Sequence, residues 1–303
     1  MKAIIATKSG SPDVLQLREV PTPRPADHEI LVKVHAATVT RGDAVLRSMH
    51  PLLFILLSPL GLKRKITPGH EFAGQVVDIG RAVKSYQVGD ALFGTTTGLR
   101  AGANAEYLCL PEKSKSNVLA VKPPEISYAE AAALPVGAMT ALYLLQKANV
   151  HNMQSVLVYG ASGSVGTYAV QLAKAHFGAQ VTGVCSTQNL DLVSSLGADT
   201  VIDYTQEDFT QSGRKFDVIF DAVGKLNVGH VKNALARDGS IVSVHAMTRE
   251  DAQALALLAD LLSAGKLKAV IDKRYPLEQV AEAHRYVESG RKRGNVVITV
   301  VGE

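Results

Sequence analysis

Three stretches of the sequence carry residue types at spacings that could do chemistry. The first is Gly160-Ala161-Ser162-Gly163-Ser164-Val165-Gly166, which follows the apolar run "SVLVYG" and leads into "VGTYAVQLAKAHFG". Set against Gly-x-Gly-x-x-Gly, Ala161 takes the first glycine position while Gly163 and Gly166 keep theirs. In a strand-turn-helix setting, Gly163 lets backbone approach a pyrophosphate and Gly166 lets the helix pack on the strand. Unpaired N–H groups and the dipole at the helix start attract the anion. The second stretch reports which dinucleotide binds. The next strand, "AQVTGVCS", ends in Ser186, Thr187 and Asn189, and the first acid, Asp191, lies a turn into the following helix. A carboxylate at the strand end would bond ribose hydroxyls and repel a 2′-phosphate. Its absence, with three hydrogen-bonding side chains in its place, favours NADPH over NADH.

The third stretch is "ITPGHEFAGQ", with His70 and Glu71 after a Pro-Gly turn. His70 is either a metal ligand or a turn residue held by a hydrogen bond. A catalytic zinc takes about three protein ligands and a water. The two cysteines, Cys109 and Cys185, stand far apart in apolar runs, which predicts neither a disulfide framework nor a Cys-x-x-Cys zinc lobe.

The elements that position these residues fall into two patterns. The first 120 or so residues are short β-branched runs such as "KAIIAT", "EILVKVHAATV" and "FAGQVVDIG", separated by Pro, Gly and Asp turns. That composition predicts a small, partly open barrel. From Pro124 the pattern changes. Ser127 with Glu130 three residues on makes a capping box for a helix broken at Pro135. Apolar strands then alternate with helices, including "LNVGHVKNALARDG" and a helix capped at Thr248 and stopped at Gly265. Continuous apolar strands with crossover helices predict a doubly wound parallel sheet. The tail, strand-helix-strand to "GNVVITV", returns to the first domain. The expected domains are thus 1–123 with 266–303, and 124–265, with a cleft between them.

Bulk properties narrow the function. The 303 residues are 47% hydrophobic and 20% charged, with net charge +4 and pI about 8.9. The basic residues are scattered, and Arg291-Lys292-Arg293 reads as a solvated loop, so nucleic-acid binding is not expected. The apolar stretch from Pro51 to Leu62 is too short for a membrane span and is interrupted by Pro59. The chain reads as a cytoplasmic protein.

Taken together, "TRGDAVLR", "PGHEFAG", "VGDALFG", "AAALPVGAMTAL", "GASGSVGTYAVQLAK", "SLGADTVIDY" and "GNVVITV" resemble the medium-chain dehydrogenases/reductases, within them the zinc-free quinone oxidoreductase (zeta-crystallin-like) branch. The resemblance covers nearly the whole chain and implies a GroES-like barrel joined to a Rossmann domain. In zinc members a Cys stands at Thr40, a His at His70, and a Cys or Asp near Val136-Gly137. One ligand of three survives here, so no bound metal is expected. The resemblance places Thr40 and Arg41 near the nicotinamide or phosphates, as positioning groups rather than an assured acid or base. It places Thr140 at the nicotinamide ribose, Tyr204 at the 2′-phosphate end, Asn189 where some relatives carry Lys, and Asn295 near the nicotinamide. Val223 joins the cofactor contacts. Some quinone reductases carry Tyr where this chain has Val45, so no proton donor is evident.

The implied activity is zinc-independent hydride transfer from NADPH to a small apolar quinone or α,β-unsaturated carbonyl. The alternatives are a non-catalytic NADPH-binding sensor or structural protein, and an alcohol dehydrogenase. Two features are the chain's own. "SMHPLLFILLSPLGLKRK", with Phe54 and Leu56, reads either as a lid with an apolar inner face or as a segment packed into the core. Only "MTRE" separates "SIVSVHA" from the next helix, so a sixth strand is missing. That predicts five or fewer parallel strands in the order 3-2-1-4-5, and a monomer or a non-standard dimer.

Overall fold

The structure is a computed structural model that describes residues 1–49, 67–96, 102–114, 117–246 and 251–301. The apolar lid segment with Phe54 and Leu56 lies outside these residues, as does Thr248. In chain order the first strands are β1 (Lys2–Ala6), β2 (Leu15–Glu19) and β3 (Glu29–Thr38). Helix α1 (Arg41–Ser48) follows, then β4 (Glu71–Ile79), β5 (Ala91–Thr95), β6 (Tyr107–Pro111) and β7 (Leu119–Val121). Next come α2 (Tyr128–Ala133), α3 (Pro135–Lys147), β8 (Ser155–Tyr159), α4 (Ser164–Gln171), β9 (Gln180–Cys185), α5 (Leu190–Ser195), β10 (Thr200–Asp203) and β11 (Phe216–Asp221). The chain ends with α6 (Val228–Val231), β12 (Leu235–Ser243), α7 (Ala252–Ser263), β13 (Ile271–Pro276), α8 (Val280–Glu288) and β14 (Asn295–Thr299).

These elements form two compact units. One comprises Met1–Pro135, Asp251–Asp260 and Ile271–Glu303, the other Val136–Glu250 and Leu261–Val270. The first holds a seven-stranded mixed sheet in the order β13-β14-β3-β4-β5-β7, with β6 on β3, and a β1-β2 ribbon. Alternation along β3 sends Ile30, Val32 and Val34 into a core with Phe72, Leu92, Leu110 and Ile298. The second holds a parallel sheet in the order β10-β9-β8-β11-β12, the predicted 3-2-1-4-5. Its inner strands β8 and β9 are largely apolar and buried, as strands covered on both faces are, whereas β12 at the edge carries the exposed Arg237 and Asp238.

The Ser127–Glu130 capping box forms as read, and Pro135 breaks the helix into α2 and α3. Three expectations need correction. The helix expected over "LNVGHVKNALARDG" shrinks to α6 and a short turn, because Leu235 onward joins β12, pairing with Phe216 of β11. Helix α7 starts after Asp251, whose Oδ1 accepts from the Gln253 and Ala254 N–H groups, so the cap is Asp251 rather than Thr248. The loop Arg291-Lys292-Arg293 is not solvated throughout. Lys292 is drawn inward, its Nζ donates to the Gly294 carbonyl at 2.6 Å, and burial pushes its amine down to about 8 against the pull of Glu71 and Asp272. Both thiols are free, and burial pushes each up to about 11.

Candidate active site

In the second unit the glycine loop closes on itself through backbone. Gly160 has φ +80°, and both its N–H and that of Ala161 donate to the Val184 carbonyl of β9. The Gly163 N–H returns to the Gly160 carbonyl at 3.1 Å, and α4 then begins at Ser164. A Cβ on Gly166 would lie 2.1 Å from the Gly160 oxygen, whereas one on Gly163 would have that oxygen at 3.5 Å as its nearest neighbour. The two glycines therefore do different things. Gly166 is required by packing, while Gly163 keeps space that the protein itself does not fill. A Cβ on Gly160 would strike Val223 at 2.3 Å, which places Val223 over the loop. Thr140 is half-buried on α3, one turn beyond Gly137, and that glycine packs on Ser164 and Tyr168 of α4.

At the end of β9 the predicted donors meet. Asn189 is buried, and its Nδ2 donates to Ser186 Oγ at 3.1 Å and Ser162 Oγ at 3.2 Å. Each hydroxyl accepts that hydrogen and keeps its own O–H to donate elsewhere. The Asn189 oxygen has no partner among the described residues. Thr187 does not join this cluster. Its hydroxyl donates to Asp203 at 2.5 Å, and Asp203 also accepts from Thr205 N and Oγ1. These bonds, Thr187's first, lower the Asp203 carboxyl. Tyr204 is exposed beside it, with its N–H on the Cys185 carbonyl. Asp203 and Asp221 were not anticipated. Asp221, at the end of β11, accepts from the N–H groups of Val223, Gly224 and Leu226 and so shapes the turn that carries Val223.

In the first unit the organising group is Asp43, which the sequence reading also missed. Thr40-x-x-Asp43 is a capping box at the start of α1. Asp43 Oδ2 accepts from Thr40 N at 2.8 Å and Oγ1 at 2.6 Å, and Oδ1 accepts from Gly69 N at 3.1 Å. His70 Nδ1 stands 2.6 Å from the same Oδ1. Burial alone would push the carboxyl up. The His70 imidazole and the Thr40 bonds outweigh it and hold Asp43 down at about 2. Arg41 begins α1 and is exposed, as is Val45. Asn295 is buried at the start of β14, one residue before Val296, whose carbonyl accepts from Val39 N at 3.1 Å. Thr40 and Asn295 thus flank the same sheet end. Glu71 accepts from the Thr38 hydroxyl.

Behind Asp43 lies a buried histidine. His284 of α8 is fully covered, and neither ring nitrogen has a partner among the described residues. One turn on, Glu288 pairs with Arg47 of α1, whose guanidinium also donates to the Gly10 carbonyl at 2.6 Å. Burial, aided by Arg47 and opposed by Asp43, pushes His284 from 6.5 down to about 4. Because its folded value lies below its unfolded one, the unfolded chain binds the extra proton between those values. The stability held by the neutral ring is complete above pH 6.5 and is lost as pH falls toward 4, by about 3 kcal/mol. Urea midpoints should fall across that window in the wild type and stay flatter in His284→Leu. Equal slopes in the two proteins would remove His284 from the account.

Comparison with known proteins matches this organisation. Residues 26–155 match the alcohol dehydrogenase GroES-like domain family, and residues 164–270 and 243–298 match families described as zinc-binding dehydrogenase. The chain is 35% identical to 2-methylene-furan-3-one reductase of Solanum lycopersicum, over 98% of this chain and 79% of that one. It is 33% identical to the chloroplastic NADPH-dependent alkenal/one oxidoreductase of Arabidopsis thaliana, with the same coverage. Among solved structures, the quinone oxidoreductase from Coxiella burnetii superposes with a TM-score of 0.87 at 28% identity, over 99% of both chains.

The zinc that two of these family descriptions imply does not fit the residues present. Thr40 spends its hydroxyl on Asp43, His70 commits Nδ1 to the same carboxylate, and Val136 has no donor atom. Among the described residues no three His, Cys, Asp or Glu converge as ligands.

Proposed function

Because the chain belongs to the quinone oxidoreductase branch of the medium-chain dehydrogenase/reductase superfamily, we propose that it transfers hydride from NADPH to a small apolar quinone or α,β-unsaturated carbonyl. When bound, the reduced nicotinamide supplies the hydride. The protein's residues bind and orient. The pyrophosphate would be held at the start of α4, where the loop from Gly160 to Gly166 turns into the helix. In the second unit Thr140 and Val223 would line the cofactor; in the first, Thr40, Arg41 and Asn295 are the residues that the family resemblance assigns to its nicotinamide end. A conjugated acceptor suits this site because its own π-system makes the distant carbon electrophilic, so no Lewis acid has to activate it. Fixed geometry then accounts for much of the acceleration.

The observation that carries the choice of NADPH is the Ser162–Ser186–Asn189 cluster. Two hydroxyls accept from one amide and keep their own donors, with no carboxylate at the end of β9. Placing a carboxylate there in Ser186→Asp should raise the KM for NADPH on the order of ten- to a hundredfold through like-charge repulsion and leave NADH less affected. Unchanged discrimination between the two would move the 2′-phosphate elsewhere. The function itself is tested by following NADPH oxidation with a naphthoquinone, an enone and a saturated aldehyde. Turnover of the first two but not the third is expected, and aldehyde reduction alone would favour an alcohol dehydrogenase. NADPH binding without turnover of any acceptor would favour a sensor.

Among the described residues no helix is long and apolar enough to cross a membrane. The reading is of a cytoplasmic enzyme, which cell fractionation tests. With five parallel strands described and no sixth, it works as a monomer or a non-standard dimer, which light scattering distinguishes from a dimer built on the sheet edge.

A further inference from the structure

Hydride transfer to a quinone or an enone leaves an oxyanion that must be protonated, and the sequence offers no tyrosine at Val45 to do it. We propose that His70 is the proton donor, held in place by Asp43. This rests on the function proposed above and adds a residue to it.

The geometry is that of an oriented acid. Asp43 is fully buried and fixed by bonds from Thr40 N, Thr40 Oγ1 and Gly69 N, so its position does not depend on His70. Its remaining contact, 2.6 Å from His70 Nδ1, fixes the ring's orientation. A carboxylate so placed also stabilises an imidazolium. That carboxylate stays ionised because its acidity is held at about 2. The His70 side chain is 22% exposed, so the ring can be recharged from solvent. Asp43 also ties the ring to Thr40, the residue expected beside the nicotinamide. Opposite charge reaches the ring from α1 through Asp43, and Glu71 is its neighbour on β4, with Lys292 acting on Glu71 from the loop before β14. His284 of α8 and Arg47 of α1 stand behind Asp43, and the Arg47 guanidinium is committed to Gly10 and Glu288. A second polar group stands at the same turn. The Asn104 amide is buried against Gly69 with neither atom partnered among the described residues, which suits a polar guest beside His70.

The step balances. Hydride, with its electron pair, forms a C–H bond at the carbon β to the carbonyl; the C=C π pair shifts to the bond between the α carbon and the carbonyl carbon, and the C=O π pair moves onto oxygen. The imidazolium N–H bond breaks as an O–H bond forms, and the neutral ring takes a proton from water. The enol from an enone then tautomerises through solvent to the saturated carbonyl, and that from a quinone loses a proton from the hydride-bearing ring carbon while its second oxygen gains one, giving the hydroquinone. In both cases the acceptor gains two electrons and two hydrogens, and NADPH becomes NADP⁺.

The test uses the full chain. His70→Asn and His70→Gln keep a donor for Asp43 and remove the acid. Each should lower kcat for an enone about a hundredfold, the lower end of what a positioned acid contributes, with KM little changed. The alkaline fall of kcat should disappear with it. Nitrogen-15 NMR of the cofactor-free protein provides a readout apart from turnover. The His70 ring should be protonated across the pH range in which the wild type works, and Asp43→Asn should shift that titration to lower pH. Wild-type turnover with unchanged kcat and pH profile in both variants would overturn this inference and leave the function standing. A ring that NMR shows neutral throughout the working range would do the same, whether or not the variants fold. A wild type inactive on every acceptor would overturn the function and this inference with it.

Discussion

Gly166→Ala will lose both stability and dinucleotide binding, while Gly163→Ala will lose binding alone. The difference follows from what each new methyl would meet. At Gly166 it would sit 2.1 Å from the Gly160 carbonyl oxygen and 2.9 Å from the Ala161 α-carbon. Backbone on both sides cannot swing aside like a side chain, so α4 must withdraw from β8. Overpacking costs about 1–3 kcal/mol, and a clash with main chain belongs at the upper end. Displacing the start of α4 also moves the N–H groups that would receive the pyrophosphate. At Gly163 the nearest atom would be 3.5 Å away, an ordinary contact, and φ is −79°, which alanine accepts. The free protein should tolerate that methyl, and only a ligand drawn close to the backbone would feel it. Urea unfolding and NADPH titration by fluorescence separate the outcomes. If Gly163→Ala binds NADPH as the wild type does, the phosphates lie elsewhere.

Asp43→Ala should be the most damaging single change in the first unit, at about 3–5 kcal/mol, the usual cost of removing one partner from a buried charged network. It strands the Thr40 and Gly69 N–H groups, removes the α1 cap and takes away the carboxylate beside His70 Nδ1. It also removes the negative charge that offsets the Arg47 guanidinium beside His284. Asp43→Asn should cost less, because an amide oxygen can still accept at the cap. Denaturant midpoints at neutral pH check the order. A cost for alanine below about 1 kcal/mol would reduce the group to an ordinary surface cap.

Much of this was legible in the sequence because local chemistry and tertiary need agreed. The turn from Gly160 to Gly166, the alternation of apolar strand and helix, and the short "MTRE" connection each predict the parallel sheet that forms. Asn189, Ser186 and Ser162 meet because the loop after β8 and the end of β9 are neighbours in any such sheet. Other features were hidden because they depend on distant partners. Thr187 belongs with Asp203, and only the pairing of β9 with β10 brings them together. Leu235 joins a strand because Phe216 is there to pair with it, although its own neighbours are helix formers. Asp43 did leave a local trace in Thr40-x-x-Asp43, a capping spacing, but its link to His70 spans 27 residues and no local pattern announces it. Lys292 looked like one of three solvated cations until folding placed it against Glu71 and Asp272.

The central claim is that hydride goes to the carbon made electrophilic by conjugation rather than to the carbonyl carbon itself. The most direct measurement is the position of the label in the product when NADPH deuterated on its transferring face reduces an enone, read by deuterium NMR. The account predicts deuterium at the carbon β to an intact carbonyl. Deuterium on a carbinol carbon, with the double bond retained, would contradict it.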